Sequence, residues 1–415
     1  MKHLETHQGL EARRQIVVDE LQPDHLRNHR VADGFEIELE TKQELHKIGH
    51  NIAAFQHGMS ELSNVALRAD PKDQTMRLVR SLLGTENIHQ AARRENVSAP
   101  VLPEPALAKA DLIFTPLGLR IVEIEPGKLR GLGYGAMVRA QSPNALGIGA
   151  PRFLEAIRSA GNAAIVMSTK DRFHEPEIRL LARTTKELFV TPQTELKQSR
   201  DGLETRGQRI GEVIMMSPLV KGGITEDDIR NHAQVISDRR TDLESKGALA
   251  LLHNAGNSTE IEQLLVLAFG DDQLARLRKV IPLTVHSSLV PKEEMSSLAE
   301  AIRRGDKAVF LKPLIDSGTR GIVTPNKPEE CATVLDSKKR TKFIVQDAEE
   351  CPLVEMKSMD VLTGSEESHP MNIRLTIHTD AKGQIIESTI VGSPDDHLAH
   401  GGTSSIITSL EVGNE

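Results

Sequence analysis

The sequence predicts a mixed α/β (α+β) fold from three observations. A block of helical periodicity fills much of the first hundred or so residues, helix and strand alternate between residues 151 and 195, and the final third is strand-rich. In the first block Leu45, Ile48, Ile52, Phe55 and Met59 recur at helical spacing within 42–62, and residues 76–83 and 87–96 read as shorter helices. Pro100, Pro103 and Pro105 then end the block, because a proline disfavours helix at the residue before it. Residues 1 to about 35 carry charge with little periodicity and read as a loose arm or short helices.

From Ala110 the texture changes. The runs ADLIFT and LRIVEIE flank Pro116-Leu117-Gly118, which suits a hairpin with a three-residue loop and a left-handed Gly118. A small α/β unit follows: FLEAIRSAG as helix, AAIVMS as strand, EPEIRLLARTTKE as helix and LFVTP as strand, with a partly parallel sheet. Residues 225–280 read as mainly helical. The C-terminal strands are KAVFLKP, RGIVTP, KFIVQ, NIRLTIHTD and QIIESTIVG, the last two joined by Ala381-Lys382-Gly383.

Composition narrows the function. A chain of 415 residues suits two to three domains. The net charge of -8 argues against a nucleic-acid surface, which needs a concentrated basic face, but leaves small anionic ligands open. Two cysteines, Cys331 and Cys351, cannot form a disulfide framework for a chain this long, and no Cys/His set has zinc-ligand spacing. The first residues lack the apolar core of a secretory signal, and no apolar run approaches the ~20 residues of a membrane span. The expectation is a soluble, cytoplasmic protein with no membrane partner.

Three places carry residues suited to chemistry. Counting outward from the turn with Thr115 opposite Leu119 sets Asp111 opposite Glu123, and Glu125 shares a face with Glu123. Like charges opposed across a strand pair are unfavourable unless something lies between them, so Asp111, Glu123 and Glu125 could converge on a hard divalent cation. The same pattern also describes a solvated hairpin face. The glycine-rich run 127–135 that follows suits a ligand loop or a flexible connection. Lys312 ends an apolar strand, with Ala308 and Phe310 on its face, ahead of a loop in which Ser317, Gly318 and Thr319 could offer phosphate donors; a surface lysine beside an ordinary turn reads equally well. In NIRLTIHTD the set Asn372, Arg374, Thr376 and His378 occupies one face, either a site or a wet face, and Ile373, Leu375 and Ile377 the other. His397 and His400 precede a Gly-Gly-Thr-Ser-Ser run and could form a two-histidine metal loop, although loop histidines are usually solvated.

The order of these signals resembles the circularly permuted ATP-grasp proteins, the group of glutathionylspermidine synthetase-like and eukaryotic glutathione synthetase-like ligases. Asp111 and the EIE of Glu123 to Glu125 stand where the family has an Asp and a Glu-x-Asn; ELKQSRDGLETRG, ESKGALALL, Ile281-Pro282-Leu283-Thr284, LKPLIDSGTRG, FIVQ, IRLTIHTDAKG and HGGTSS match its later motifs in order, over residues 95–410. The resemblance implies an N-terminal helical region at 1–109, a metal-ligand hairpin and glycine-rich loop at 110–150, a small α/β domain resembling a pre-ATP-grasp domain at 151–225, and nucleotide-binding ATP-grasp subdomains at 226–415.

The implied activity is ATP-dependent joining of a small-molecule carboxylate to an amine through an acyl phosphate, with release of ADP. ATP and Mg²⁺ are the implied cofactors. Mg²⁺ would lie on Asp111, Glu123 and Glu125, while Lys246 and Lys312 neutralise phosphates. Arg374, with Lys312, would serve catalysis; Ser317, Gly318, Thr319 and Gly321 would close over the phosphates; Gln346, Asp347, Ala348 and Glu349 would hold the nucleoside. A small-molecule kinase, a nucleotide-binding regulatory protein without turnover and an unrelated α/β enzyme stay open, as does a homodimer.

Overall fold

A computed structural model of the chain describes residues 2–3, 7–20, 29–32, 34–95, 97–142, 144–159, 161–200, 202–216, 219, 223–237, 243, 245–254, 256–315, 321–393 and 405–412. Ser317, Gly318, Thr319, His397 and His400 lie outside the described residues.

The largest sheet has seven strands, in the order Val354–Asp360, His29–Ala32, Ser405–Thr408, Ile385–Ser393, Glu366–Asp380, Leu107–Thr115, Gly118–Pro126. Val354–Asp360 pairs a second time, with the first part of Glu366–Asp380. The amphipathic period expected in 42–62 belongs to a helix of 30 residues, Leu39–Arg68, whose Leu45, Ile48, Ile52, Phe55 and Met59 are all buried. That helix covers one face of the sheet, packing with Ala108, Ala110 and Leu112 of one strand and Ile373, Leu375 and Ile377 of its neighbour in one core. By the two-residue period of a strand, Lys109, Asp111, Arg374, Thr376 and His378 point to the opposite face.

A second sheet of three antiparallel strands has Phe343–Asp347 at its centre, between Thr284–His286 and Val309–Pro313. Helices Lys292–Arg303 and Pro328–Asp336 back it through Met295, Ala299, Ile302, Cys331 and Leu335. The small α/β unit is present: Gln234–Ser237, Glu212–Met215, Ala163–Met167 and Leu188–Pro192 form a parallel sheet. One of its strands, Gln234–Ser237, comes from beyond residue 225.

Three expectations need correction. The N-terminal arm contains the helix His7–Glu20, as one of its two readings allowed, but also His29–Ala32, an inner strand of the large sheet, which a four-residue segment without periodicity could not announce. Among the described residues 321–325 of RGIVTP no strand forms; Val323 makes an isolated bridge to Leu311. The hairpin turn is tighter than expected, with Thr115 opposite Gly118 and only Pro116 and Leu117 in the loop, although Gly118 does take a positive φ of 99°. A bulge between Asp111 and Leu112 then inserts one residue, so Asp111 still faces Glu123. The two one-residue offsets cancel.

Candidate functional site

The polar face of the large sheet meets the edge of the three-stranded sheet, and there the predicted residues converge. Asp111 is 2% exposed; its Oδ2 lies 3.1 Å from Arg374 Nη1, its Oδ1 lies 3.3 Å from Lys109 Nζ, and Thr376 Oγ1 donates to Oδ1 at 2.8 Å. Glu125 accepts from Lys109 Nζ at 2.7 Å and pairs closely with Lys128. Glu123 pairs with Lys246 at 2.9 Å. Lys246 arrives from far along the chain, immediately before the helix Gly247–His253, where its backbone N–H donates to Leu314 O. Lys312 ends the Val309–Pro313 strand, with its ammonium 5.8 Å from the Phe310 ring centre, and donates to Gln346 Oε1 at 2.6 Å and to Val122 O at 3.1 Å.

The charges are strongly coupled. Burial tends to raise the Asp111 pKa, but Arg374 and Lys109 outweigh it and hold the carboxyl down at about 2. Glu125 is held well below its ordinary value, with Lys109 and Lys128 overcoming burial. Burial acts to lower Lys109, yet Asp111 and Glu125 raise it; Lys246 is likewise raised by Glu123 against its burial. Lys312 goes the other way: burial, only partly offset by Glu123 and reinforced by Lys246, lowers it to about 8.

Magnesium does not fit this arrangement. The three carboxylates do share one neighbourhood, but every oxygen of Asp111 and Glu125 already faces an ammonium, a guanidinium or a hydroxyl. Among the described residues no group of three or more His, Cys, Asp or Glu side chains is placed to hold a metal ion. What lies between Asp111 and Glu125 is Lys109. Sequence reasoning passed over it, although the count that sets Asp111 opposite Glu123 also sets Lys109 opposite Glu125. An anion fits better: Lys109, Lys128, Lys246, Lys312 and Arg374 outnumber Asp111, Glu123 and Glu125, and Arg374 Nε is buried with no hydrogen-bond partner among the described residues.

The other nominated residues divide. Gln346 belongs to the site through Lys312, with its amide donating to Thr284 Oγ1 at 3.2 Å. The backbone N–H groups of Asp347 and Ala348 donate to Leu283 O and Ala308 O, and the Asp347 carboxylate pairs with Lys307 at 2.9 Å. Those two amides are therefore engaged in holding the strand in place. Glu349 lies 3.8 Å from Arg120 of the hairpin. Gly321 takes a φ of 72° beside Pro313, a conformation that favours glycine.

The glycine-rich run is not a free loop. It leads into the helix Leu132–Gln141, where Glu177, itself fully buried, accepts from Gly131 N at 2.9 Å and from His174 Nδ1 at 2.6 Å. A Cβ on Gly133 would fall well inside contact distance of the Glu177 carbonyl oxygen, and one on Gly135 would lie 2.6 Å from Glu387 Cβ. The glycines allow two elements to touch. Gly133→Ala should therefore lower stability by about 1–3 kcal/mol through overpacking, measured by urea unfolding; an unchanged midpoint would mean that the helix can slide away from Glu177.

With this geometry in place, the comparison with solved structures is decisive for the fold. A glutathione synthetase-like effector from Globodera pallida, in its apo form, superposes with a TM-score of 0.55 at 10% identity, over 98% of this chain and 96% of that one. The fold is ATP-grasp-like. A putative gamma-glutamylcysteine synthetase from Methylobacillus flagellatus matches with a TM-score of 0.39 at 12% identity over 85% and 87% of the two chains. D-alanyl-alanine synthetase A from Vibrio cholerae matches with a TM-score of 0.27 at 10% identity over 61% and 88%. No protein-family model matches the chain, and no curated protein matches it in sequence. In this ATP-grasp-like fold the candidate site lies between the large sheet and the three-stranded sheet. No helix among the described residues is long and apolar enough to cross a membrane.

Proposed function

We propose that this chain binds ATP through its phosphates and uses it to activate a small-molecule carboxylate as an acyl phosphate, which an amine then attacks to form an amide. The observation that carries this reading is the excess of cationic over acidic side chains where the hairpin, the Lys312 strand and Lys246 meet. Both steps of such a ligation gather negative charge, and fixed cations in a water-poor site stabilise it without reorganising. Lys246 and Lys312 would face the phosphate chain. Arg374, fixed by Asp111 and with Nε unengaged, would face the transferring phosphoryl group. Gln346 orients the Lys312 ammonium, and Glu349 is the candidate contact for the nucleoside. Ser317, Gly318, Thr319 and Gly321 stay proposed as contacts for the phosphates.

A second reading, a nucleotide-binding protein without turnover, is favoured by the ammonium groups already seated on Asp111 and Glu125. One assay separates the two. With ATP, a carboxylate library of amino acids and small peptides, and hydroxylamine as the amine, a ligase accumulates hydroxamate with equal ADP and phosphate. With hydroxylamine left out, a kinase still releases ADP, without free phosphate, whereas a ligase waits for the amine; a non-turning protein binds ATP and releases nothing in either case. AMP and pyrophosphate would sink the mechanism, because attack would then fall on the α-phosphate.

A further inference from the structure

The two acids nearest the centre of the site, Asp111 and Glu125, are bridged. Lys109 Nζ lies 3.3 Å from Asp111 Oδ1 and 2.7 Å from Glu125 Oε2. Lys128 takes the remaining oxygen of Glu125, while Arg374 and Thr376 complete Asp111. We propose that the Lys109 and Lys128 ammonium groups stand where a divalent cation would stand between Asp111 and Glu125, so that the site takes a phosphate-bearing ligand free of metal. This rests on the nucleotide reading above.

The argument is one of ligands and charge. A magnesium ion demands near-octahedral oxygen coordination, and here no oxygen of either acid is spare. To enter, the ion would have to displace two ammonium groups whose counter-charges are these same carboxylates. Lys128 is 5% exposed and the Lys109 side chain 15%, so neither has an easy route to water, and each would be left close to a dication at low dielectric. The third acid, Glu123, is the more exposed at 24%, and Lys246 holds it. The lysines thus supply the positive charge that a metal would otherwise bring to the phosphates, and they supply it from within the fold.

Two titrations of the full chain test this. In the first, Mn²⁺ is added without nucleotide and its free ion is followed by electron paramagnetic resonance. The expected result is no bound Mn²⁺ in the wild-type protein up to millimolar metal, and one new site in Lys109→Met, whose circular dichroism establishes that it folds. Mn²⁺ bound by the wild type and lost in Asp111→Asn would overturn the proposal, and the wild-type titration decides even if the lysine variant fails to fold. In the second, ATP is titrated calorimetrically in EDTA and again in excess Mg²⁺. The affinity in EDTA should equal or exceed that with Mg²⁺; a gain of about tenfold or more on adding Mg²⁺ would overturn the proposal. If ATP binds in neither condition, the nucleotide reading fails, and the Mn²⁺ titration still decides whether the acids are closed to metal.

Discussion

Asp111→Asn is expected to destabilise the chain by about 3–5 kcal/mol, because it removes one partner of a buried charge network, leaving Arg374 uncompensated and Lys109 with Glu125 alone. Sequence logic points the opposite way: two carboxylates opposed across a hairpin repel, and neutralising one should be harmless. The inserted Lys109 reverses the sign. Glu123→Gln, at a position 24% exposed and with Lys246 as its partner, should cost distinctly less. Urea unfolding of both variants at neutral pH measures the difference, and a loss under about 1 kcal/mol for Asp111→Asn would show that the cations find other partners. The acid limb gives a second readout. Because the folded-state pKa of Asp111 is depressed to about 2 from 3.8, its contribution is complete above the ordinary carboxylate range and is lost as pH falls towards 2. The wild type should therefore lose stability over that interval more steeply than Asp111→Asn.

Lys312→Met should separate function from folding. The side chain is 8% exposed and burial holds its pKa down to about 8, so the charged form is disfavoured where it lies and an apolar side chain of similar length should leave stability within about 1 kcal/mol of wild type. The cost is limited to two acceptors, Gln346 Oε1 and Val122 O, that lose their donor. Hydroxamate formation should fall on the order of a hundredfold or more, since a fixed charge facing the reacting phosphates is commonly worth a few kcal/mol in the transition state. The pH dependence follows the same group. Lys312 loses its proton as pH rises through about 8, so ATP affinity should weaken above that pH in the wild type, and this limb should be missing in the variant. A variant with full activity would remove Lys312 from the site.

What the sequence by itself determined is local. Periodicity alone set the long amphipathic helix, and the two-residue period of a strand put Ile373, Leu375 and Ile377 in the core and Arg374, Thr376 and His378 on the other face. Strand counting put Asp111 opposite Glu123, with a tighter turn and a bulge cancelling each other on the way. The same count held Lys109 opposite Glu125, a legible signal hidden by attention to the acids. Only the tertiary structure decided what those faces meet. Arg374 reaches Asp111 because two strands more than two hundred and fifty residues apart are neighbours in one sheet, and Lys246 and Lys312 reach the hairpin from separate elements. The glycine-rich run became a packed helix start because Glu177 and Glu387 press against it from other elements. Backbone periodicity is a property of a few consecutive residues and can be read along the chain, whereas the sign of a site's charge depends on which distant side chains long-range pairing brings within a few ångströms. The sequence could therefore point to the acids, but only the assembled sheets show that ammonium groups already hold them.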